Sequence, residues 1–244
     1  QIVINEVSSA NAITIFDEDG EATDWIELYN TNSSPVNLEG YIISDNTWQL
    51  NKWTFPDVII GPNDYLTLFA SGKDRKTFFD HWETAVLPND VWWYTVPTSE
   101  PDSAWRISSF FIYDSTWQQG QGGIGYGDGD DSTLLIPPVI SVYIRNVFNI
   151  VDTSMIASAV LHMDYDDAFV AYLNGVEIAR SNIGENGTPT PFNFTAFEDH
   201  EAAMYSGGLP ETYFVDESVF INGNNVLAIQ VHNIGSSSSD LSAI

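Results

Sequence analysis

The sequence predicts an all-β protein built as two β-sandwiches in tandem, and three observations predict it. Helical periodicity is nearly absent, with Asp74 to Trp82 the one short candidate. Period-2 apolar runs recur along the chain, punctuated by Gly, Pro, Asn and Asp. The stretch Asp164 to Asn182 holds two such runs joined by Asn174-Gly175, the pair that best supplies two positive-φ residues to a tight hairpin.

The runs divide into two groups. The first comprises Ile2 to Val7, Asp24 to Tyr29, Gly40 to Ser44 and Tyr65 to Ala70. The second comprises Ser141 to Phe148, Ile156 to Met163, Ala168 to Leu173, Val176 to Arg180 and Val226 to His232. In the last of these Leu227, Ile229 and Val231 share one face, the pattern of a half-buried strand. Pro88, Pro97 and Pro101 bracket an aromatic stretch, Val91 to Tyr94, which places a boundary there and gives domains 1–88 and 89–244.

The chain has 244 residues, enough for two domains that each bury a core. Seven basic against 34 acidic side chains leave a net charge of −27. Residues 1–89 carry 14 acids and 4 bases, and 90–244 carry 20 acids with Arg106, Arg145 and Arg180 as the only bases. Such a surface repels phosphate backbones and anionic lipid, which excludes nucleic acid as a partner. No apolar run is long enough for membrane insertion. The absence of cysteine excludes thiolate zinc sites and cysteine nucleophiles. With no basic-plus-apolar leader and no initial Met, the chain reads as a piece of a longer protein.

Three acidic groups are candidate cation sites, because calcium takes several oxygens at once and turn-borne acids converge readily. Asp17, Asp19 and Asp24 surround Gly20, although flanking helices and a correctly placed twelfth-position Glu are lacking, so a solvated acidic turn is the preferred reading. Asp128, Asp130 and Asp131 alternate with glycines, and acids this close repel unless neutralised. Asp166 and Asp167, with Asp164, stand at the hairpin entrance, where such residues more often cap amides. Calcium is the expected cofactor, in a structural role.

Sugar recognition needs a flat aromatic face and planar groups for hydroxyls. Trp92, Trp93, Trp105, Trp117 and Tyr126 can supply the first, and Asp166, Arg180, Asn182 and Asn233 the second. Each has a bland counterpart: Trp117 as core, Arg180 as partner to one of the many acids. Adjacent Trp92 and Trp93 point to opposite sides of an extended segment, which leaves at least one for the surface. His81, His162, His200 and His232 are dispersed and outside any metalloprotease or nucleophile-elbow context. His162 and His232 fall in strands that can face each other across a sheet. Nothing here composes a catalytic machine.

INEV at Ile4 to Val7, DEDGEATDWIELYN at Asp17 to Asn30, PVNLEGYIISD at Pro35 to Asp45, KWTFP at Lys52 to Pro56 and LFASGKD at Leu68 to Asp74 occur in order. On these motifs the first part resembles the bacterial, secreted lamin-tail domain, which implies an immunoglobulin-like sandwich. DSTWQQGQGGIGYGDGDD at Asp114 to Asp131, SVYIRNVF at Ser141 to Phe148, the hairpin, and NVLAIQVHN followed by SSDL are similar to galactose-binding-like jelly rolls. Such modules accompany secreted hydrolases and spore-coat-H-type kinase proteins, usually without chemistry of their own. The resemblances imply an extracellular or cell-surface pair of packed sandwiches, joined to neighbouring domains, that binds an oligosaccharide or polysaccharide through its loops. A purely structural spacer and a calcium-dependent protein adhesion module are the other readings, and burial of all five aromatics named above separates the spacer from the sugar binder.

Overall fold

A computed structural model describes residues 1–17, 20–74, 82–109, 116–127, 129 and 131–243. The chain is all-β, with four short 3-10 turns among the described residues. Nearly all of the helix candidate Asp74 to Trp82 lies outside them. No helix among them is long and apolar enough to cross a membrane. Two compact units form, Gln1–Glu83 and Thr84–Ile244. The turn at Leu87 to Asp90 belongs with the second unit, since Gly122 N–H donates to the Asp90 carbonyl at 2.9 Å and Val86 packs on the second unit's core.

In the first unit β1 (Ile2–Ser8), β2 (Trp25–Asn30) and β7 (Tyr65–Phe69) form an antiparallel sheet in the order β1-β2-β7. Two short pairs, β3 (Val36–Asn37) with β6 (Ile59–Ile60) and β4 (Ile42–Ile43) with β5 (Trp53–Thr54), complete the unit. Leu28, Leu38, Phe55, Ile60, Leu66 and Leu68 make its core. Asn30 is fully buried, and its amide satisfies the carbonyls of Ser34, Ile60 and Gly61, which locks the turn after β2 to the turn after β6.

The second unit has a six-stranded sheet and a four-stranded sheet. Its strands are β8 (Val91–Thr95), β9 (Gln118–Gln121), β10 (Ile124–Tyr126), β11 (Thr133–Leu134), β12 (Ser141–Ile150), β13 (Val160–Met163), β14 (Tyr165–Asp166), β15 (Ala168–Leu173), β16 (Val176–Ser181), β17 (Glu211–Phe214), β18 (Gly223–His232) and β19 (Leu241–Ala243). The large sheet runs β16-β15-β18-β12-β8-β9, the smaller β11-β10-β19-β14, and β13 pairs with β17. Asn174 and Gly175 have φ of 53° and 87°, the doubly positive turn expected of that dipeptide.

The large sheet is covered on both faces. Ile144, Phe169, Ala171, Ile229 and Val231 share a core with Ile124, Tyr126, Tyr165, Leu241 and Ala243 of the smaller sheet. Tyr143, Val170, Tyr172, Val226 and Ala228, on the opposite side, pack under Trp105, Trp117, Ile183 and Ala196. The half-buried strand expected at Val226 to His232 is therefore buried throughout. The stretch Val91 to Tyr94, read as a boundary, is a strand of the large sheet paired to β12 and β9. His162 lies on β13 and His232 on β18, in different sheets, so the two do not face each other across one.

Candidate functional site

The hairpin entrance Asp164–Asp167 organises one end of the second unit. Asp164 accepts the amides of Ala203 and Met204 at 2.8 and 2.9 Å. Asp167 accepts the amides of His200 and Ile234 at 2.8 and 2.7 Å. These four bonds pin the segment 200–204 and the chain leaving β18 against β14. Glu201 rides on the first segment, and Asp240 follows the second.

Asp166 lies between the two clamps. Its strand partner is Ser242, whose other partner is Gly125. Cross-strand partners share a face, so Asp166, Ser242 and the bare position at Gly125 form a row. A Cβ built on Gly125 meets Asp131 Oδ1 at 2.4 Å, so the Asp131 carboxylate occupies the space that glycine leaves. Carboxylate oxygens of Asp166, Glu201 and Asp240 lie within 4.8 Å of one another. Asp166 is buried, Asp240 half-buried and Glu201 exposed, so the group opens to solvent on one side. Of the basic side chains in this unit, Arg106 lies over the Tyr172 ring at 4.5 Å, Arg145 donates to the Ile107 carbonyl, and Arg180 pairs with Glu177. Hard oxygen donors at this spacing fit a divalent cation such as calcium.

Beside this group the Tyr126 hydroxyl accepts from Asn233 Nδ2 at 3.0 Å, and Asn233 also donates to the Val139 carbonyl. Burial raises the Tyr126 phenol; the Asn233 bond opposes this, and Asp240, Asp166 and Asp167 add to it. His200 stacks on Tyr165 at 4.3 Å with the planes 2° apart. Its Nε2 lies 3.1 Å from Glu211 Oε1, and its Nδ1 3.1 Å from the Tyr165 carbonyl.

The residues read as sugar ligands do not assemble into a platform. Trp92 and Tyr126 lie in the core between the sheets, and Trp105 and Trp117 in the core on the other side. Trp93 is half-buried against that second core. An apolar ring gains most by burial when an interior is available, and both faces of the large sheet offer one. Arg180 is consumed by Glu177, Thr190 and the carbonyls of Ile183 and Thr188. Asn182, at φ 57°, ties to the backbone of Asp167 and Glu198. Asn233 is fully buried. Of the nine, Asp166 alone joins the carboxylate group.

The predicted cation ligands are likewise redistributed. Asp17 is 5% exposed and is neutralised by Lys73 at 2.8 Å, while it caps the amide of Glu21. Lys73 also bridges Glu21. Asp24 accepts from the Asn11 amide at 3.2 Å. A lysine fills this turn, so Asp17 is held by an ion pair and an amide and not by water. Asp19, Asp128 and Asp130 lie outside the described residues. Sequence reasoning missed Glu201 and Asp240; the signals were the acid run at Glu198 to Glu201 and the SSDL motif.

The family model described as Lamin Tail Domain matches residues 1–138. The chain belongs to the lamin tail domain family. The lamin tail match extends past Asp74, where the quoted motifs end, and past the domain limit read at residue 88, and takes in β8 to β11. Among solved structures, the chain is similar to a Bifidobacterium dentium beta-glucuronidase complexed with coumarin-3-O-glucuronide, with 19% identity and a TM-score of 0.36, over 62% of this chain and 20% of that one. It is also similar to a rhamnosidase from Novosphingobium sp. PP1Y, with 12% identity and a TM-score of 0.32, over 86% of this chain and 18% of that one. The lamin tail chain thus spans about a fifth of each of these proteins. No curated protein matches it.

Proposed function

We propose that this lamin tail protein is a non-catalytic scaffold: a pair of β-sandwich modules that positions other domains of a longer extracellular or cell-surface protein. The observation that carries the reading is the placement of Trp92, Trp105, Trp117 and Tyr126 in the cores, at 3–7% exposure. Rings so placed stabilise the sheets and present no face to a ligand. The polar residues at the sheet ends support the same reading, since Asp164, Asp167, Asn182 and Asn233 are spent on tying loops together. Calcium remains part of the proposal, at Asp166, Glu201 and Asp240 rather than in the two glycine-containing turns. There it joins three chain segments and acts as a structural brace.

Carbohydrate recognition is the second reading, and Trp48 favours it. That ring is 95% exposed at the tip of the Asp45–Leu50 loop. A stacked sugar there requires no rearrangement of either core.

A panel of chromogenic glycosides, esters and phosphoesters, incubated with the chain in calcium buffer, tests the scaffold reading. It predicts no turnover above buffer. Turnover that is lost in His200→Ala or Glu211→Gln replaces the scaffold with an enzyme built on that pair.

A further inference from the structure

The first unit has an open seam that the scaffold reading does not use. Ile4 pairs with Leu28 across β1 and β2, so the two side chains share the core-facing side. Leu28 is 6% exposed, yet Ile4 is 61% exposed. After the register shift between Ile4 and Glu6, Val7 pairs with Ile26 on the same side, and Val7 is 56% exposed. From the other layer Tyr41 and Ile42 are exposed as well. Ile4, Leu28, Tyr41 and Ile42 line a groove of about 520 Å³ with an apolar floor. The groove runs beside β1, which pairs with β2 on one side and with no strand among the described residues on the other. An edge of this kind is a template for strand addition.

The outward face of the same edge fixes the charge of what fits. Glu6 stands directly opposite Glu27. Like charges at such a pair repel. Asn5 donates to Glu27 at 2.6 Å, while Lys52 is drawn to Asp45 and Lys73 to Asp17 and Glu21.

We propose that β1 is a docking edge for an extended segment of a partner protein in which apolar and basic residues alternate. Its backbone pairs with β1, its apolar side chains enter the groove beside Ile4 and Tyr41, and its basic side chains meet Glu6 and Glu27. A second copy of this chain is the wrong occupant, because pairing two β1 edges brings together two chains of net charge −27 and adds two more glutamates to the seam.

The test titrates the whole chain with the peptide acetyl-Lys-Val-Lys-Ile-Lys-Val-Lys-Val-amide, with an acidic peptide carrying Glu at each Lys position as control. Calorimetry is expected to give a dissociation constant below about 1 mM for the basic peptide and no binding of the acidic one. Ile4→Lys and Glu6→Lys are each expected to weaken binding about tenfold or more. Both sites are exposed, so the melting temperature stays near that of the parent, and Glu6→Lys alone carries the comparison should Ile4→Lys unfold. Equal affinity for the two peptides, binding undiminished in both variants, or no heat at 1 mM basic peptide overturns the proposal. A concentration-dependent dimer abolished by Ile4→Lys also overturns it, by assigning the seam to a second copy.

Discussion

The Nδ1 atom of His232 lies 2.8 Å from the carbonyl oxygen of Phe194. This contact assigns the proton of the neutral ring to Nδ1, since a carbonyl accepts only. The Nε2 atom is buried with no hydrogen-bond partner among the described residues. Burial lowers the imidazole pKa to about 4; the Phe194 carbonyl opposes the shift and Arg180 adds to it.

His232 therefore makes the second unit acid-sensitive. A histidine whose folded pKa lies below its unfolded value binds its proton preferentially when unfolded, so stability rises with pH between the two. The contribution is complete above about pH 6.5 and is lost progressively down to about pH 4, amounting to about 3 kcal/mol. Urea denaturation at pH 7.5, 5.5 and 4.5 measures it. His232→Asn is expected to lower stability at pH 7.5 and to flatten the pH slope relative to the parent.

Burial of the aromatic rings sets up a contrast between two tryptophans. Trp105 is 3% exposed, edge-on to Tyr143 at 4.9 Å. Trp105→Ala should cost about 3–5 kcal/mol. Trp48→Ala, at a ring 95% exposed, should fall within about 0.5 kcal/mol of the parent. Chemical denaturation of both variants checks the pair, and equal losses would place the rings wrongly.

Arg180 clamps the loop after β16 to Glu177. Its side chain is 4% exposed, with Glu177 at 2.8 Å. The guanidinium fork serves Glu177, Thr190 and two carbonyls at once, a geometry that an ammonium cannot copy. Arg180→Met should destabilise by about 3 kcal/mol, and Arg180→Lys should restore little of it. Thermal melts read both.

Lys73 holds the acidic turn of the first unit. The Asp17 side chain is 1% exposed beside it. Lys73→Met removes the ammonium from that buried carboxylate, and should cost about 2 kcal/mol in a urea titration. Lys73→Met with Asp17→Asn should recover part of the loss.

The calcium proposed at Asp166, Glu201 and Asp240 would make stability metal-dependent. A cation at a hundredfold excess over its dissociation constant adds about 2.7 kcal/mol, which for a chain this size raises the melting temperature by roughly 5 °C. Scanning calorimetry with calcium chloride and then EDTA reads this. Asp240→Asn should remove the calcium response, while Asp17→Asn should leave it intact.

Local signals were legible where they sufficed. Asn174-Gly175 announces its hairpin because two positive-φ positions exclude most other residues, and the strand Ala168–Leu173 has the limits that its apolar run predicts. Burial was less legible. Val226, Ala228 and Gln230 read as the solvent side of a strand, yet Trp105, Trp117, Ile183 and Ala196 cover that side. These covering residues come from distant, irregular segments that carry no period. The same distance hid the carboxylate group. Asp166 was visible at the hairpin entrance, but Glu201 and Asp240 reach it only because Asp164 and Asp167 capture amides about 35 to 70 residues away. At the first acidic turn, the partner of Asp17 was equally hidden, since Lys73 stands 56 positions along the chain.

Native gel electrophoresis through a panel of neutral and acidic soluble polysaccharides, with calcium in the buffer, tests the central claim most directly. If the rings belong to the cores and the sheets serve as scaffold, the chain migrates through every gel as it does through plain acrylamide. Retardation by any one polysaccharide, relieved by the free oligosaccharide, would contradict the scaffold and return this protein to the sugar binders.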